Sequence, residues 1–154
     1  MAGAERLTVG VMGGLGPAAT LDFFAKVLRA TQAVRDQDHL RLLIDNNPAV
    51  PNRNEAAAGR GPSPGPALAD MARGLERAGA DFLVMVCNAA HGWEGEIREA
   101  TTLPFVSLIG ETVAAARRLR PDLRAVGVLA SSGCHDAGLY EAAFAADGVR
   151  VLAP

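Results

Sequence analysis

The sequence has few residues of the kinds that hold metals or form disulfide frameworks. It contains three histidines and two cysteines in 154 residues, and the HGW segment at 91 to 93 has no metal-ligand spacing. This scarcity argues against a zinc site, and we expect no metal. We expect a cytoplasmic protein, and in that compartment two cysteines are free, catalytic or buried rather than disulfide-bonded.

An excess of charge of one sign and long apolar runs are also missing. With 15 basic and 17 acidic residues, the formal net charge is -2, which gives no electrostatic footprint for nucleic acid or anionic lipid. No run approaches the roughly 18 to 20 apolar residues of a membrane-spanning helix, and residues 1 to 14 lack the features of a secretory signal. We therefore expect neither nucleic acid nor a membrane as partner.

Short, continuously apolar runs alternate with longer segments of helical periodicity. Continuous apolar runs are typical of parallel strands buried on both faces, so the alternation predicts an α/β fold with a parallel sheet and flanking helices. Strands are predicted at 7–12, 40–46, 81–86, 104–108, 124–130 and in the final VRVLAP, and helices at 17–33, 64–78, 93–100, 110–119 and 137–146. Ligands of such folds bind at the carboxyl ends of the strands.

Two segments of similar pattern indicate two lobes. VGVMGGLGPAAT and VGVLASSGCHDAGLY each place a V-G-V strand before a glycine-containing turn and a helix, which would set two strand-end loops across a cleft. We expect a first lobe at 1–107 and an incomplete second lobe at 108–154. The Ala/Gly/Pro-rich stretch 54–70 fits a mobile loop over the strand ends better than an interdomain linker.

Two loops in the first lobe are candidates for binding an anion. Gly13 and Gly14 leave the first strand before Pro17 opens a helix, so their amides either hold a carboxylate or phosphate or form a tight turn. Arg53 follows two prolines on the loop after the second strand. In that position Arg53 either binds a carboxylate through two parallel hydrogen bonds or is a solvated surface charge.

Cys87 is the candidate for reactive chemistry, because it ends a buried strand just before a predicted helix. Helix N-terminal amides would favour its thiolate, while an inert, buried cysteine is the alternative. His91 would assist the thiol, cap the helix or hold a neighbouring group. Cys134, on the corresponding loop of the second lobe, either approaches Cys87 across the cleft or fills a structural position.

Four segments in order carry a resemblance to a known family: GVMGGLGPAATLDFF, RDQDHLRLLIDNNPAVPNR, GADFLVMVCNAAH and ASSGCHDAGLY. They resemble the pyridoxal-phosphate-independent aspartate/glutamate racemases, and their aspartate racemase branch in particular. The resemblance implies two pseudo-symmetric α/β lobes that bind an acidic amino acid between them. It further implies one cysteine on each side of the α-carbon and no cofactor. Because an incomplete second lobe would expose apolar surface at a sheet edge, we also expect a homodimer.

The resemblance also implies roles for individual residues. Cys87 matches the first catalytic cysteine, and Asn88 with the amides of Ala89 and Ala90 matches the segment that binds the α-carboxylate. Arg53 matches the arginine that recognises the side-chain carboxylate. Gly13 and Gly14 belong to the turn expected beside the substrate, and His91 and Cys134 are expected at the cleft or behind it.

Three departures from the family pattern shape the functional expectation. Ala89 stands where a threonine is usual, Cys134 stands where a threonine or similar small polar residue is usual, and the second catalytic cysteine and a substrate-binding lysine are absent from these 154 residues. The leading expectation is racemisation of aspartate or glutamate by thiol proton transfer. The alternatives are a catalytically impaired carboxylate-binding paralogue or fragment, and an isomerase or lyase acting on a small dicarboxylate.

Overall fold

The computed structural model describes residues 6–152, which form two parallel sheets with flanking helices. The strands are β1 (Thr8–Gly13), β2 (Arg41–Asn46), β3 (Phe82–Met85), β4 (Phe105–Val106), β5 (Ala125–Gly127) and β6 (Arg150–Leu152). The helices are α1 (Pro17–Ala30), α2 (Arg53–Ala57), α3 (Gly65–Arg77), α4 (Glu94–Ala100), α5 (Leu108–Leu119), α6 (Ser132–Asp136) and α7 (Leu139–Ala145). Short 3-10 turns occupy Asp36–Asp38 and Ala89–Trp93. None of the helices described between residues 6 and 152 combines the length and apolar character needed to cross a bilayer.

The first sheet has four parallel strands in the order β2-β1-β3-β4. Strand β1 lies between two neighbours and all six of its residues are buried, as its continuous apolar pattern predicts. The expectation of an α/β fold built on a parallel sheet is confirmed. The carboxyl ends of β1 and β3 lie side by side, so the segments that leave them at residues 14 and 86 share one edge of the sheet.

One face of this sheet carries the main core. The α3 residues Leu68, Met71 and Leu75 recur at helical spacing and pack with Leu83 of β3 and Ile97 of α4. Each fully buried aliphatic side chain contributes roughly 1.5 to 3 kcal/mol. A glycine is needed in β1 at position 10, where a Cβ would lie 2.6 Å from the Leu83 side chain.

The opposite face of the sheet is only partly covered. Val11, Ile44, Val84 and Val106 form one row across the four strands, because Val11 pairs with Ile44 and Val84, and Val84 pairs with Val106. Helix α1 lies on this face, where Val11 is fully buried while Ile44 and Val106 are each 38% exposed. A groove of about 260 Å³ opens beside Ile44 and another of about 480 Å³ beside Val106.

The second sheet is small and is joined to the first through α5. Strands β5 and β6 pair in parallel, and a second apolar cluster forms around them. Its buried members are Ala89, Ile109, Val113, Cys134, Tyr140, Phe144 and Val149. Because Ala89 and the half-buried Cys87 also contact this cluster, the chain after β3 packs between the two sheets. The boundary between lobes at 107/108 stays a prediction.

The structure corrects several predicted element bounds. The strand predicted at 124–130 is β5, which spans only Ala125–Gly127. The predicted last strand is β6, which spans Arg150–Leu152, and residues 153 and 154 lie outside the described residues. Helix α1 ends at Ala30, three residues before the predicted end. The predicted helix 137–146 corresponds to α7, which begins after Gly138 with its φ of 61°, and the short helix α6 that precedes it is an element that the sequence did not predict.

The expected loop at 54–70 is also shorter than predicted. Helix α2 occupies its first residues, because the Asn52 side chain accepts hydrogen bonds from the amides of Asn54 and Glu55 and so caps the helix. Helix α3 begins at Gly65, which leaves residues 58–64 as the connection.

Candidate active site

A cavity of about 320 Å³ lies where the strand ends of the two sheets meet. Cys87, Asn88 and Ala89 line it from the segment after β3, and Ala130 and Ser131 line it from the segment after β5. Its remaining lining residues are Leu15, Ala19, Val86 and Leu108. The volume lies within the range of small-molecule sites, and the position is the one at which parallel sheets bind ligands.

Cys87 is the thiol of this cavity. It is half-buried, and it packs against both apolar clusters. Cys134 is a second free thiol, 1% exposed, which lies in the apolar cluster behind the cavity and not among the cavity-lining residues that the structure describes. Burial, followed by the neighbouring Glu141 and Cys87, raises the pKa of Cys134, so this thiol is poorly suited to act as a base.

The segment after Cys87 turns as a 3-10 helix before α4 begins. The first backbone bond of this turn joins the His91 N–H to the Asn88 carbonyl at 3.0 Å, so the amides of Asn88, Ala89 and Ala90 precede it. Amides in that position have no acceptor within their own helix and can bind an anion. Ala89 lines the cavity, whereas Ala90 is fully buried and does not.

His91 holds the backbone around Cys87 and does not bind its thiol. One ring nitrogen, Nε2, accepts the Leu108 N–H at 3.0 Å, so Nδ1 carries the hydrogen and donates it to the Cys87 carbonyl at 2.7 Å. Burial lowers the pKa of His91 and favours this neutral form. Of the roles expected from the sequence, the structure supports that of a residue that positions its neighbours.

Asn88 receives a hydrogen bond from the second apolar cluster. The Tyr140 hydroxyl donates to Asn88 Oδ1 at 2.7 Å from a side chain that is 9% exposed. Burial raises the pKa of Tyr140, so its hydroxyl keeps the proton that it donates. Sequence reasoning missed Tyr140, because the two residues are 52 positions apart and a tyrosine within an apolar helix pattern carries no sign of its partner.

Arg53 uses much of its hydrogen-bonding capacity within the fold. Its Nη1 donates to the carbonyls of Val50 and Pro51 at 3.0 and 2.8 Å, and its Nη2 donates to the Leu15 carbonyl at 3.0 Å. Two of the five N–H groups of the guanidinium remain. Arg53 is not among the cavity-lining residues of the described chain, but it begins α2, and its bond to Leu15 ties the start of this helix to the cavity wall.

The turn at Gly13 and Gly14 is held by hydrogen bonds within the fold. Both Gly13 and Gly14 are buried, and the Gly14 N–H is bound to the Thr20 hydroxyl at 2.9 Å. Gly14 has φ 85°, and a Cβ there would overlap the backbone nitrogen of Asn47. The Gly14 amide is therefore engaged within the turn, and a role of Gly13 and Gly14 in binding substrate stays a prediction.

A direct contact between α2 and α6 closes the structure beside the cavity. The Gly133 N–H donates to Asn54 Oδ1 at 3.1 Å, and a Cβ at position 133 would overlap that oxygen. Together with the bond from Tyr140 to Asn88, this contact fixes the small sheet against the first one. No cluster of three metal-ligating side chains occurs among residues 6–152.

Comparison with known proteins places the chain in a family. The sequence profile of the Asp/Glu/Hydantoin racemase family matches residues 12–154, nearly the whole chain. The chain belongs to this family. The resemblance in the four sequence segments is thereby confirmed at the level of the family, while the substrate and the thiol mechanism remain to be tested.

Similar proteins agree with this assignment. A broad specificity amino-acid racemase of Bacillus subtilis, RacX, is 28% identical over 148 residues, covering 94% of this chain and 63% of the relative. An aspartate racemase structure from Picrophilus torridus is 30% identical with a TM-score of 0.87, covering 96% of this chain and 62% of that one. A glutamate racemase structure from Campylobacter jejuni, 16% identical with a TM-score of 0.66, shows the same fold and covers 96% of this chain and 56% of that one. The chain thus spans less than two thirds of the length of these relatives.

Proposed function

We propose that this chain forms the Cys87 half of a cofactor-independent racemase site for aspartate or glutamate. The carrying observation is the cavity between the strand ends, one wall of which is formed by Cys87, Asn88 and Ala89, at the start of a 3-10 turn. A thiol next to donors for a carboxylate is the arrangement that removal of an α-proton requires.

The residues support a defined proton transfer. Cys87, as thiolate, takes the α-proton: an S–H bond forms, the Cα–H bond breaks, and its electron pair moves into the carboxylate. Asn88 and the Ala89 amide would stabilise the added charge on the carboxylate oxygens, and the apolar Leu15 and Val86 reduce the access of water. Inversion also needs an acid on the opposite face, where Ala130 and Ser131 line the described wall.

The decisive experiment measures exchange of the α-proton in D₂O, separately for each aspartate and glutamate enantiomer. Because one thiol lines the described cavity, we expect the 154-residue chain to exchange one enantiomer faster than the other. Cys87→Ser should abolish exchange, while Cys134→Ser, the matched control, should retain it. No exchange by folded protein with any of the four amino acids would refute the catalytic proposal.

A second candidate is a carboxylate-binding protein without turnover, which the loss of the threonine hydroxyl at Ala89 favours. Calorimetry separates the two functions. Equal aspartate binding by wild type and Cys87→Ala, with no exchange by either, would establish the binding protein. An isomerase or lyase acting on a small dicarboxylate would be recognised by new products from the same incubations.

The preference for an acidic substrate is proposed on Arg53. Arg53 is the first residue of α2, its bond to the carbonyl of Leu15 holds it beside the cavity wall, and two of its N–H groups remain for a ligand. If this guanidinium binds the side-chain carboxylate of the substrate, the α-protons of aspartate and glutamate should exchange much faster than that of alanine. Equal rates for the three would indicate broad specificity, the property named for the Bacillus relative.

We also propose that two copies of the chain associate through α1. Leu21, Phe24 and Leu28 form an exposed apolar stripe along this helix, at 72%, 39% and 42% exposure. Antiparallel pairing of two such helices about Phe24 would place Asp22 of each copy opposite Lys26 of the other, which is self-complementary in charge.

The chemistry also requires Cys87 to stay reduced, as it would in the cytoplasm.

Sedimentation equilibrium over a range of concentrations tests the homodimer. Leu21→Lys should shift the dimer to monomer, while Leu119→Lys, which changes an 80% exposed leucine on α5, should not. A wild-type monomer at every concentration would contradict the proposal.

A further inference from the structure

The bond between Tyr140 and Asn88 determines which end of the Asn88 amide is available to a ligand. A primary carboxamide has one accepting oxygen and a donating NH₂ group, and it can present either end to a cavity by rotating about its last bond. At 2.7 Å from the Tyr140 hydroxyl, Asn88 Oδ1 is already engaged. The donating Nδ2 is the end that remains for a ligand.

The surroundings of Tyr140 make this orientation stable. The ring packs in the second apolar cluster and stacks at 6.4 Å on Phe144, which is 2% exposed. A tyrosine hydroxyl can donate or accept, and here it donates to the Asn88 oxygen, while burial raises the pKa of Tyr140 and so favours the protonated hydroxyl. Asn88 itself is exposed at the cavity wall, so its amide would rotate freely without this bond.

We propose that Tyr140 is a positioning residue that sets Asn88 as a hydrogen-bond donor and thereby makes the site select a carboxylate. A carboxylate offers only accepting oxygens, so it matches a fixed NH₂ group, whereas a neutral amide group of a ligand also brings donors that need an acceptor. This inference rests on the proposed function, because Asn88 must face the ligand. It assigns selectivity to a side chain that lies outside the described cavity wall.

The test compares two ligands that differ in one group: L-aspartate and its α-amide, isoasparagine. In Tyr140→Phe, we expect the Kd of aspartate to rise about five- to tenfold, which is the size expected for the loss of one orienting hydrogen bond. The Kd of isoasparagine should change less than twofold, because a rotating Asn88 amide can also accept from it. Loss of folded protein would weaken both ligands equally, so the ratio of the two Kd values is the informative readout.

Two further variants make the result specific. In an Asn88→Ala background, Tyr140→Phe should have no additional effect on aspartate binding, since the amide that it orients is gone. Thr31→Val, which removes a hydroxyl bonded at 2.7 Å to a backbone carbonyl at the far end of α1, should leave both Kd values unchanged. An unchanged ratio of the two Kd values in Tyr140→Phe that circular dichroism shows to be folded, or an undiminished effect without Asn88, would overturn the inference.

A measurement without substrate separates this inference from the proposed function. In ¹⁵N-labelled protein, the side-chain amide resonances of Asn88 are identified by their loss in Asn88→Ala. We expect Tyr140→Phe to shift these resonances and to speed the exchange of their hydrogens with water. If wild type binds no aspartate while the resonances respond, the proposed function fails and the orienting bond stands; if they do not respond, the orienting role itself is refuted.

Discussion

Lowering the pH should destabilise this protein through His91, since the folded state requires the neutral ring. Its Nε2 must keep a lone pair to accept the hydrogen bond from the Leu108 N–H at 3.0 Å. Protonation would place an N–H on Nε2 that faces the Leu108 N–H, and the two would repel. Burial lowers the pKa of His91 below its ordinary value of 6.5, although Glu94 nearby acts in the opposite direction. The unfolded chain therefore binds this proton more readily than the folded chain does.

The sign and size of the effect follow from this difference in proton binding. The contribution of His91 is fully present well above pH 6.5 and is lost as the pH falls towards the lowered pKa of the folded state, at up to about 1.4 kcal/mol per pH unit. Between pH 7.0 and 5.5 the free energy of unfolding should fall by at most about 1.2 kcal/mol from this residue alone, the limit that proton uptake by the unfolded chain sets.

Urea unfolding at a series of pH values measures this contribution. His91→Gln should lower the free energy of unfolding by about 2 to 4 kcal/mol at pH 7, because a buried backbone group loses its partner. The difference between wild type and variant should then shrink as the pH falls to 5.5, while the effect of Thr31→Val, which changes no titratable group, should be the same at each pH. Parallel pH curves for wild type and His91→Gln would refute the reasoning.

Three other substitutions test the site and its support. Cys87→Ser should reduce α-proton exchange at least about 100-fold while circular dichroism shows an unchanged fold, because the side chain is only half-buried. Gly14→Ala should lower the free energy of unfolding in urea by more than about 2 kcal/mol, because φ is 85° there and the new Cβ would overlap the Asn47 backbone. Gly16→Ala, where a Cβ would meet open space, should lower it by less than about 1 kcal/mol. Arg53→Lys should lower stability by about 1 to 3 kcal/mol and reduce the preference for aspartate over alanine in the exchange assay. An unchanged preference would mean that Arg53 serves the fold alone.

The part of the structure that could be predicted from the sequence is the part determined by local pattern. Continuous apolar runs predicted the strands of the first sheet, and the spacing of Leu68, Met71 and Leu75 predicted α3. The position of Cys87 at the end of a buried strand predicted a place at the sheet edge, and the structure shows it in the cavity there.

The remaining features depend on contacts between distant residues. One of the carbonyls that Arg53 binds is that of Leu15, 38 residues away. Only the folded chain shows that these carbonyls occupy most of the N–H groups of its guanidinium. Likewise, the amide of Gly14 is occupied by Thr20 because the turn folds back on α1. A pattern of residue types indicates which groups can bind a ligand, but not which of them the fold has already used.

The contact between Asn54 and Gly133 limits how sequences of this kind can vary. Any side chain at position 133 would occupy the space of the Asn54 amide, so the two positions are not independent. A larger residue at 133 should be tolerated only together with a smaller one at 54, and such pairs should recur as correlated substitutions in an alignment of related sequences. The junction between the two sheets would then be visible as covariation, without any structure.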